Sequence, residues 1–155
     1  MNVEETVFQH ILVPLDFSDV AEQPVRLGAG LAKVCGAKLT LLSVVDDSFP
    51  NPDILSLQLP WADYYRHLRE QARASLEEVR DTLPKELPVD IAVVRGKPAQ
   101  AIAQFAKESG CDLIVMATHG TSGLQQALLG SVTRRVMYLA SCPVLVVRFP
   151  GPTHS

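Results

Sequence analysis

Five short, mostly apolar runs divide the chain: His10–Leu15, Lys38–Val45, Val89–Arg95, Asp112–Ala117 and Pro143–Arg148. Near-continuous apolar runs of this length suit strands covered on both faces, as in a parallel sheet. Between them the apolar residues recur every three or four positions. Ala21, Val25, Gly28, Ala29, Ala32 and Cys35 predict a helix with a small-residue face able to approach a sheet closely, ended by Gly36. Ser18 or Asp19 is expected to cap it, with Glu22 completing a capping box, and Pro24 to kink its first turns. Tyr65, Leu68, Ala72, Leu76, Val79 and Leu83 predict a second, amphipathic helix. On its other face Arg66, Glu70, Arg73 and Glu77 are spaced for i,i+4 pairing. Gly96-Lys97-Pro98 makes a turn with Pro98 at the first position of a third helix, which buries Ile102, Phe105 and Ala106 and closes at Gly110. Gly130-Ser131 opens a last helix that runs to about Ala140. Strand and helix alternate throughout, which implies right-handed crossovers and a parallel sheet with helices on both faces.

The segments outside this pattern are few. Residues 48–60 carry three prolines and no period, and read as a loop, a lid or a contact segment. Residues 149–155 read as a loose tail. A chain of 155 residues with 47% hydrophobic and 20% charged residues fits one domain, with a core at about 8–149, a variable loop at 46–61 and the tail at 150–155. Net charge −3 gives no global attraction to nucleic acid or to an anionic membrane, so any phosphate site must be local. The first residues, Met1-Asn2-Val3-Glu4-Glu5, show neither a basic stretch nor an apolar core of a secretory signal, and no apolar run approaches the roughly 20 residues of a membrane span. Cys35, Cys111 and Cys142, odd in number and without CxxC spacing, read as buried free thiols of a cytoplasmic protein.

In open α/β sheets ligands bind outside the carboxyl ends of the strands. Asp16 ends the first strand; it either accepts from an adenine amino group or ribose hydroxyls, or only orders the turn. The loop Thr118-His119-Gly120-Thr121-Ser122-Gly123 follows the fourth strand, and Gly130-Ser131 opens the last helix. The first amides of a helix lack intrahelical acceptors and carry roughly half a positive charge of dipole potential, so a Gly-Ser start exposes donors to an anion. Gly120 and Gly123 let backbone pass close to phosphates. His119 either touches a phosphate or packs at the loop base. Arg134 and Arg135, in the first turn of the last helix, either have their charge offset by a bound polyphosphate or are two solvated arginines. The loop is neither a P-loop nor a G-x-G-x-x-G turn, and no nucleophile–base set is visible.

The full spacing is more specific. Met116-Ala117-Thr118-His119-Gly120, nine residues, Gly130-Ser131-Val132, then Cys142-Pro143-Val144-Leu145-Val146-Val147 resembles the universal stress protein family, whose ATP-binding branch carries G-x2-G-x9-G-[ST]. Gly120, Gly130 and Ser131 match that motif; its first glycine is Ala117 here. Ile11 through Ser18 resembles the family's first strand and turn, Leu41 through Asp46 its second strand, and Gly96-Lys97-Pro98 its turn before the third helix. The resemblance implies a single-domain, open five-stranded parallel sheet of order 3-2-1-4-5, Rossmann-like and akin to the adenine nucleotide alpha hydrolases. It implies adenine and ribose near Pro14, Leu15, Asp16 and Val44, with Met116 and Ala117 beneath the ribose. Phosphates would meet Gly120, Gly130, Ser131 and Val132. The ligand would be ATP, or AMP or ADP, with Mg2+ or Mn2+ held through the phosphates. At Ala117 an ordinary φ would tolerate the methyl group.

In that strand order the last strand is an edge. Val144, Leu145, Val146 and Val147 make it an apolar one, which predicts a two-fold homodimer through this strand. Three functions remain in competition. The first is a nucleotide-binding regulatory protein of the stress response with little or no turnover. The second is an enzyme in the same pocket, a slow ATPase or an adenylyl-transfer relative; Leu15-Asp16-Phe17-Ser18, where the latter needs a Ser-Gly-rich loop, argues against it. The third is a nucleotide-free interaction protein, against which Gly120 and Gly130-Ser131 stand and which Ala117, in place of the motif's first glycine, keeps open.

Overall fold

The computed structural model describes residues 7–17, 21–48, 60–118 and 129–148. In chain order the elements are β1 (His10–Pro14), α1 (Glu22–Cys35), β2 (Lys38–Asp46), α2 (Trp61–Asp81), β3 (Val89–Gly96), α3 (Pro98–Glu108), β4 (Leu113–Ala117), α4 (Ser131–Leu139) and β5 (Val144–Val147). All four strand pairings are parallel and the sheet order is β3-β2-β1-β4-β5. β1 lies at the centre, with Ile11 opposite both Leu39 and Leu113.

Alternate strand residues serve two cores. Ile11, Val13, Leu39, Leu41, Leu113 and Val115 pack with Val25, Ala29 and Ala32 of α1 and Leu76 of α2. Leu12, Leu42, Ile114 and Met116 point the other way, against Ala99, Ile102 and Ala106 of α3 and Val136 of α4. Burial on both faces explains why the strands read as unbroken apolar runs instead of alternating ones. α1 lies close enough to β1 that a Cβ built on Gly28 would sit 2.6 Å from Val13 Cγ2. The helix ends at Gly36, whose φ of 65° is left-handed, and Ala37 N–H reaches back to the Ala32 carbonyl at 2.8 Å.

The base of the sheet is tied by polar groups. The Asp112 carboxylate accepts from the N–H groups of Gln9 (2.8 Å) and His10 (3.0 Å). His10 Nδ1 faces the Ser109 carbonyl at 3.2 Å, which can only accept, so Nε2 is the acceptor for the Thr40 hydroxyl at 2.7 Å. Burial holds the His10 pKa below 6.5, and Lys38 depresses it further.

Several local expectations are corrected. The residue before α1 is Ala21, with no side-chain cap; Ser18 and Asp19 lie outside the described residues. Pro24 is the third residue of α1 and sits in the first turn, where its missing N–H costs no intrahelical bond. Arg66 pairs with Asp63 instead of Glu70, whereas Arg73 and Glu77 do pair, at 3.3 Å. α2 stops at Asp81, so Leu83 lies beyond it. Of the three free cysteines only Cys111 is buried; Cys35 and Cys142 are half-buried. Of the 48–60 loop, residues 49–59 lie outside the described residues, as does the 149–155 tail.

Candidate functional site

The carboxyl ends of β1, β2 and β4 and the start of α4 converge on one cavity of about 680 Å³. That lies within the ordinary range for small-molecule sites, roughly 300–1,000 Å³. Nine of the residues singled out from the sequence line it together: Pro14, Leu15, Asp16, Val44, Met116, Ala117, Gly130, Ser131 and Val132. His119, Gly120 and Gly123 lie outside the described residues.

On the β1 side, the chain stays on the sheet one residue past the strand, since Leu15 N–H bonds to the Leu42 carbonyl at 2.8 Å. It then turns sharply. Phe17 has φ 60° and is the one non-glycine residue with positive φ among the described residues. This left-handed turn presents Asp16 at the rim, with Phe17 itself 41% exposed. Across from it, β2 ends at Asp46, whose carboxylate accepts from Ser48 N–H at 2.8 Å and so orders the turn that follows.

The β4 side is an anion-receptive corner. Gly130 N–H bonds to the Thr118 carbonyl at 2.7 Å, and the first helical bond of α4 runs from Arg134 N–H to the Gly130 carbonyl at 3.0 Å. The amides of Ser131, Val132 and Thr133 therefore precede the intrahelical ladder, at the positive end of the helix dipole. Thr133 is 4% exposed, and its hydroxyl donates to the Ala117 carbonyl at 2.9 Å. Ala117 does not have positive φ, so the methyl group is sterically ordinary where the resemblance has a glycine. Arg134 and Arg135 do not line the cavity; the Arg134 guanidinium donates to the Leu129 carbonyl at 3.2 Å.

Among the described lining residues the ionisable ones are Asp16 and Asp46, with no lysine, arginine, histidine or cysteine. A carboxylate at one end and free amides at the other suit a ligand with a hydrogen-bonding sugar or base and an anionic tail. Sequence reasoning missed the wall contributed by α1 and α2, where Pro24, Leu68, Gln71, Ala72 and Ser75 line the cavity. Leu68 and Ala72 were legible as a packing face, but their place beside the pocket depends on how far α2 reaches along the sheet, which no periodicity encodes.

Residues 8–148 match the profile of the universal stress protein family. Universal stress protein MJ0531 of Methanocaldococcus jannaschii is 36% identical over 149 residues, covering 94% of this chain and 85% of its own. The solved structure of MJ0577, a universal stress protein of the same organism, superposes with a TM-score of 0.81 at 30% identity and covers 94% of this chain and 99% of its own. A universal stress protein solved in complex with cAMP shares the fold, with a TM-score of 0.61 at 23% identity, over 94% of this chain and 100% of its own.

Proposed function

The chain belongs to the universal stress protein family, and from that premise we propose that it is an adenine-nucleotide-binding regulatory protein, holding ATP, or AMP or ADP, with little or no turnover. The observation that carries this reading is the single cavity joining Asp16 to the open amides of Ser131, Val132 and Thr133. In this reading Asp16 accepts from the ribose or the adenine amino group, while Pro14, Leu15, Val44 and Met116 form the apolar wall around the nucleoside. The phosphates lie against the start of α4, where Gly130 and Ser131 match the motif. The cAMP complex of a protein sharing this fold accords with that choice of ligand.

No three His, Cys, Asp or Glu side chains converge on a metal position among the described residues. A Mg2+ or Mn2+ ion would be held through the phosphates, beside the carboxylates of Asp16 and Asp46. β5 is a sheet edge, and beside it α4 leaves Tyr138 91% and Met137 46% exposed. A homodimer paired through Val144, Leu145, Val146 and Val147 would cover that surface. Three free cysteines suit a cytoplasmic setting.

The test is calorimetric titration with ATP and Mg2+, alongside chromatography of any nucleotide released on denaturation. Gly130→Val, which places a branched side chain at the buried entry to α4, is expected to weaken ATP binding by about tenfold or more, the loss of one or two charge-assisted hydrogen bonds. Equal binding by a folded Gly130→Val protein would remove the phosphate site from this corner. Phosphate release at about 1 per second or faster would replace the regulatory reading with an enzymatic one.

A further inference from the structure

Resting on the nucleotide reading and going one step beyond it, we propose that Thr133 is a positioning residue that fixes where the phosphates sit, through the Ala117 carbonyl. A helical threonine ordinarily satisfies its hydroxyl on a carbonyl of its own helix three or four residues back. Thr133 is the third residue of α4, so the carbonyls three and four residues back, those of Gly130 and Leu129, precede the helix, and they accept from the Arg134 N–H at 3.0 Å and the Arg134 guanidinium at 3.2 Å. The hydroxyl instead leaves the helix and donates to Ala117, the last residue of β4, at 2.9 Å. Thr133 is 4% exposed, so this bond is shielded from water and its geometry is held by packing.

A second tie lies one turn away, where Gly130 N–H donates to the Thr118 carbonyl at 2.7 Å. Two consecutive carbonyls at the end of β4 thus grip α4 at positions 133 and 130. The amides of Ser131, Val132 and Thr133 are held between them. Without the Thr133 bond the first turn of α4 loses one of its two described hydrogen bonds to the end of β4, which lets the amides shift relative to Ala117 and Met116. Among the described lining residues no side-chain cation is present to follow a displaced phosphate. Most of the nucleoside end, at Pro14, Leu15, Asp16 and Val44, lies at the ends of β1 and β2, away from this clasp, and Met116 is held in β4 by its own pairing with β5.

The inference therefore predicts a split between ligands with and without phosphates. Thr133→Val keeps the side-chain shape and removes the donor; Thr133→Ser keeps the donor. By calorimetric titration, Thr133→Val is expected to lower affinity for ATP with Mg2+ by about fivefold to tenfold, the equivalent of one lost hydrogen bond, with adenosine affinity unchanged. Thr133→Ser is expected to restore most of the ATP affinity. Melting curves check that each variant is folded, and Thr133→Ala, which introduces no new branched methyl, is read in the same way should the valine variant fail to fold. Equal losses for ATP and adenosine, or no loss for either, would overturn the positioning role while leaving nucleotide binding intact. A wild-type protein that bound neither ATP nor adenosine would instead refute the nucleotide reading, and this inference with it.

Discussion

Gly28→Ala tests how closely α1 is seated on the central strand. The added Cβ would lie 2.6 Å from Val13 Cγ2, with Leu39 Cδ1 at 3.5 Å and Ile11 Cγ2 at 4.0 Å. Carbon atoms prefer about 3.5–4.0 Å, so α1 must lift or Val13 must move by about 1 Å. Val13 is fully buried and branched at Cβ, with few rotamers to retreat into. Overpacking of this kind costs about 1–3 kcal/mol, against a helix-propensity gain of about 1 kcal/mol for alanine over glycine. Gly30, two residues along the same helix, has nothing within 4 Å of its would-be Cβ and so receives the propensity gain alone. Comparing the two variants cancels propensity and isolates the clash. At about 2–4 °C per kcal/mol for a chain of this size, Gly28→Ala should melt several degrees below Gly30→Ala, with Gly30→Ala above wild type. Thermal denaturation followed by circular dichroism reads this directly. Equal melting temperatures for the two variants would show that α1 does not approach β1 as described, and would undercut the placement of Asp16, which follows the same strand.

Three further outcomes are expected. The His10 pKa lies below its unfolded value of 6.5 because of burial first and Lys38 second, so the unfolded chain binds more protons between the two values; the His10 contribution is complete above pH 6.5 and is lost as the pH falls through the folded pKa. Urea titrations across that window should show stability falling with acidity more steeply in wild type than in His10→Gln, and parallel slopes would contradict the assignment. Burial, then Cys142 and Asp112, push the Cys111 thiol up to about 11, so its labelling by iodoacetamide near neutral pH should trail that of half-buried Cys35 in peptide mapping and speed up on unfolding; prompt labelling of Cys111 in the native protein would count against that burial. Phe17, at φ 60°, should accept glycine with a stability change within about 1 kcal/mol but lose about 1–2 kcal/mol on replacement by valine, and a valine variant as stable as the glycine one would refute the left-handed turn.

Much of the fold was legible because burial on both faces leaves a simple mark. Strands such as Leu39 to Val45 and Leu113 to Ala117 are apolar at nearly every position, and the turns between elements carry glycine or proline where geometry demands them, as at Gly36 and Pro98. The sheet order came from family resemblance; alternation alone implies parallel strands without ordering them. What misled was local chemistry read without its register. Pro24 looked disruptive until the helix start fell at Glu22, which puts the proline where no amide is needed. Arg66 had acids at both −3 and +4, and spacing does not choose between them. The cavity was legible where its residues end strands or open a helix, since those positions are set by topology. Gln71 and Ser75 reach it from the side of α2, and only the offset between helix and sheet decides that.

The placement of strain and charge around the cavity explains why so much here rests on backbone position. Ala117, where the motif of the resemblance has glycine, sits at the end of β4 with ordinary φ; the left-handed turn is instead at Phe17, across the cavity. The carboxylate end is thus aimed by a strained turn, and the opposite end by two hydrogen bonds from α4 to β4. Neither described end offers a side-chain cation, and both ionisable groups on the described wall are acids. A lysine or arginine could follow a displaced phosphate by changing rotamer, whereas an amide at the start of a helix moves only with the helix. On the proposed reading, affinity for an anionic ligand depends on how rigidly α4 and β1 are held relative to each other. They meet through β4, which pairs with β1 directly.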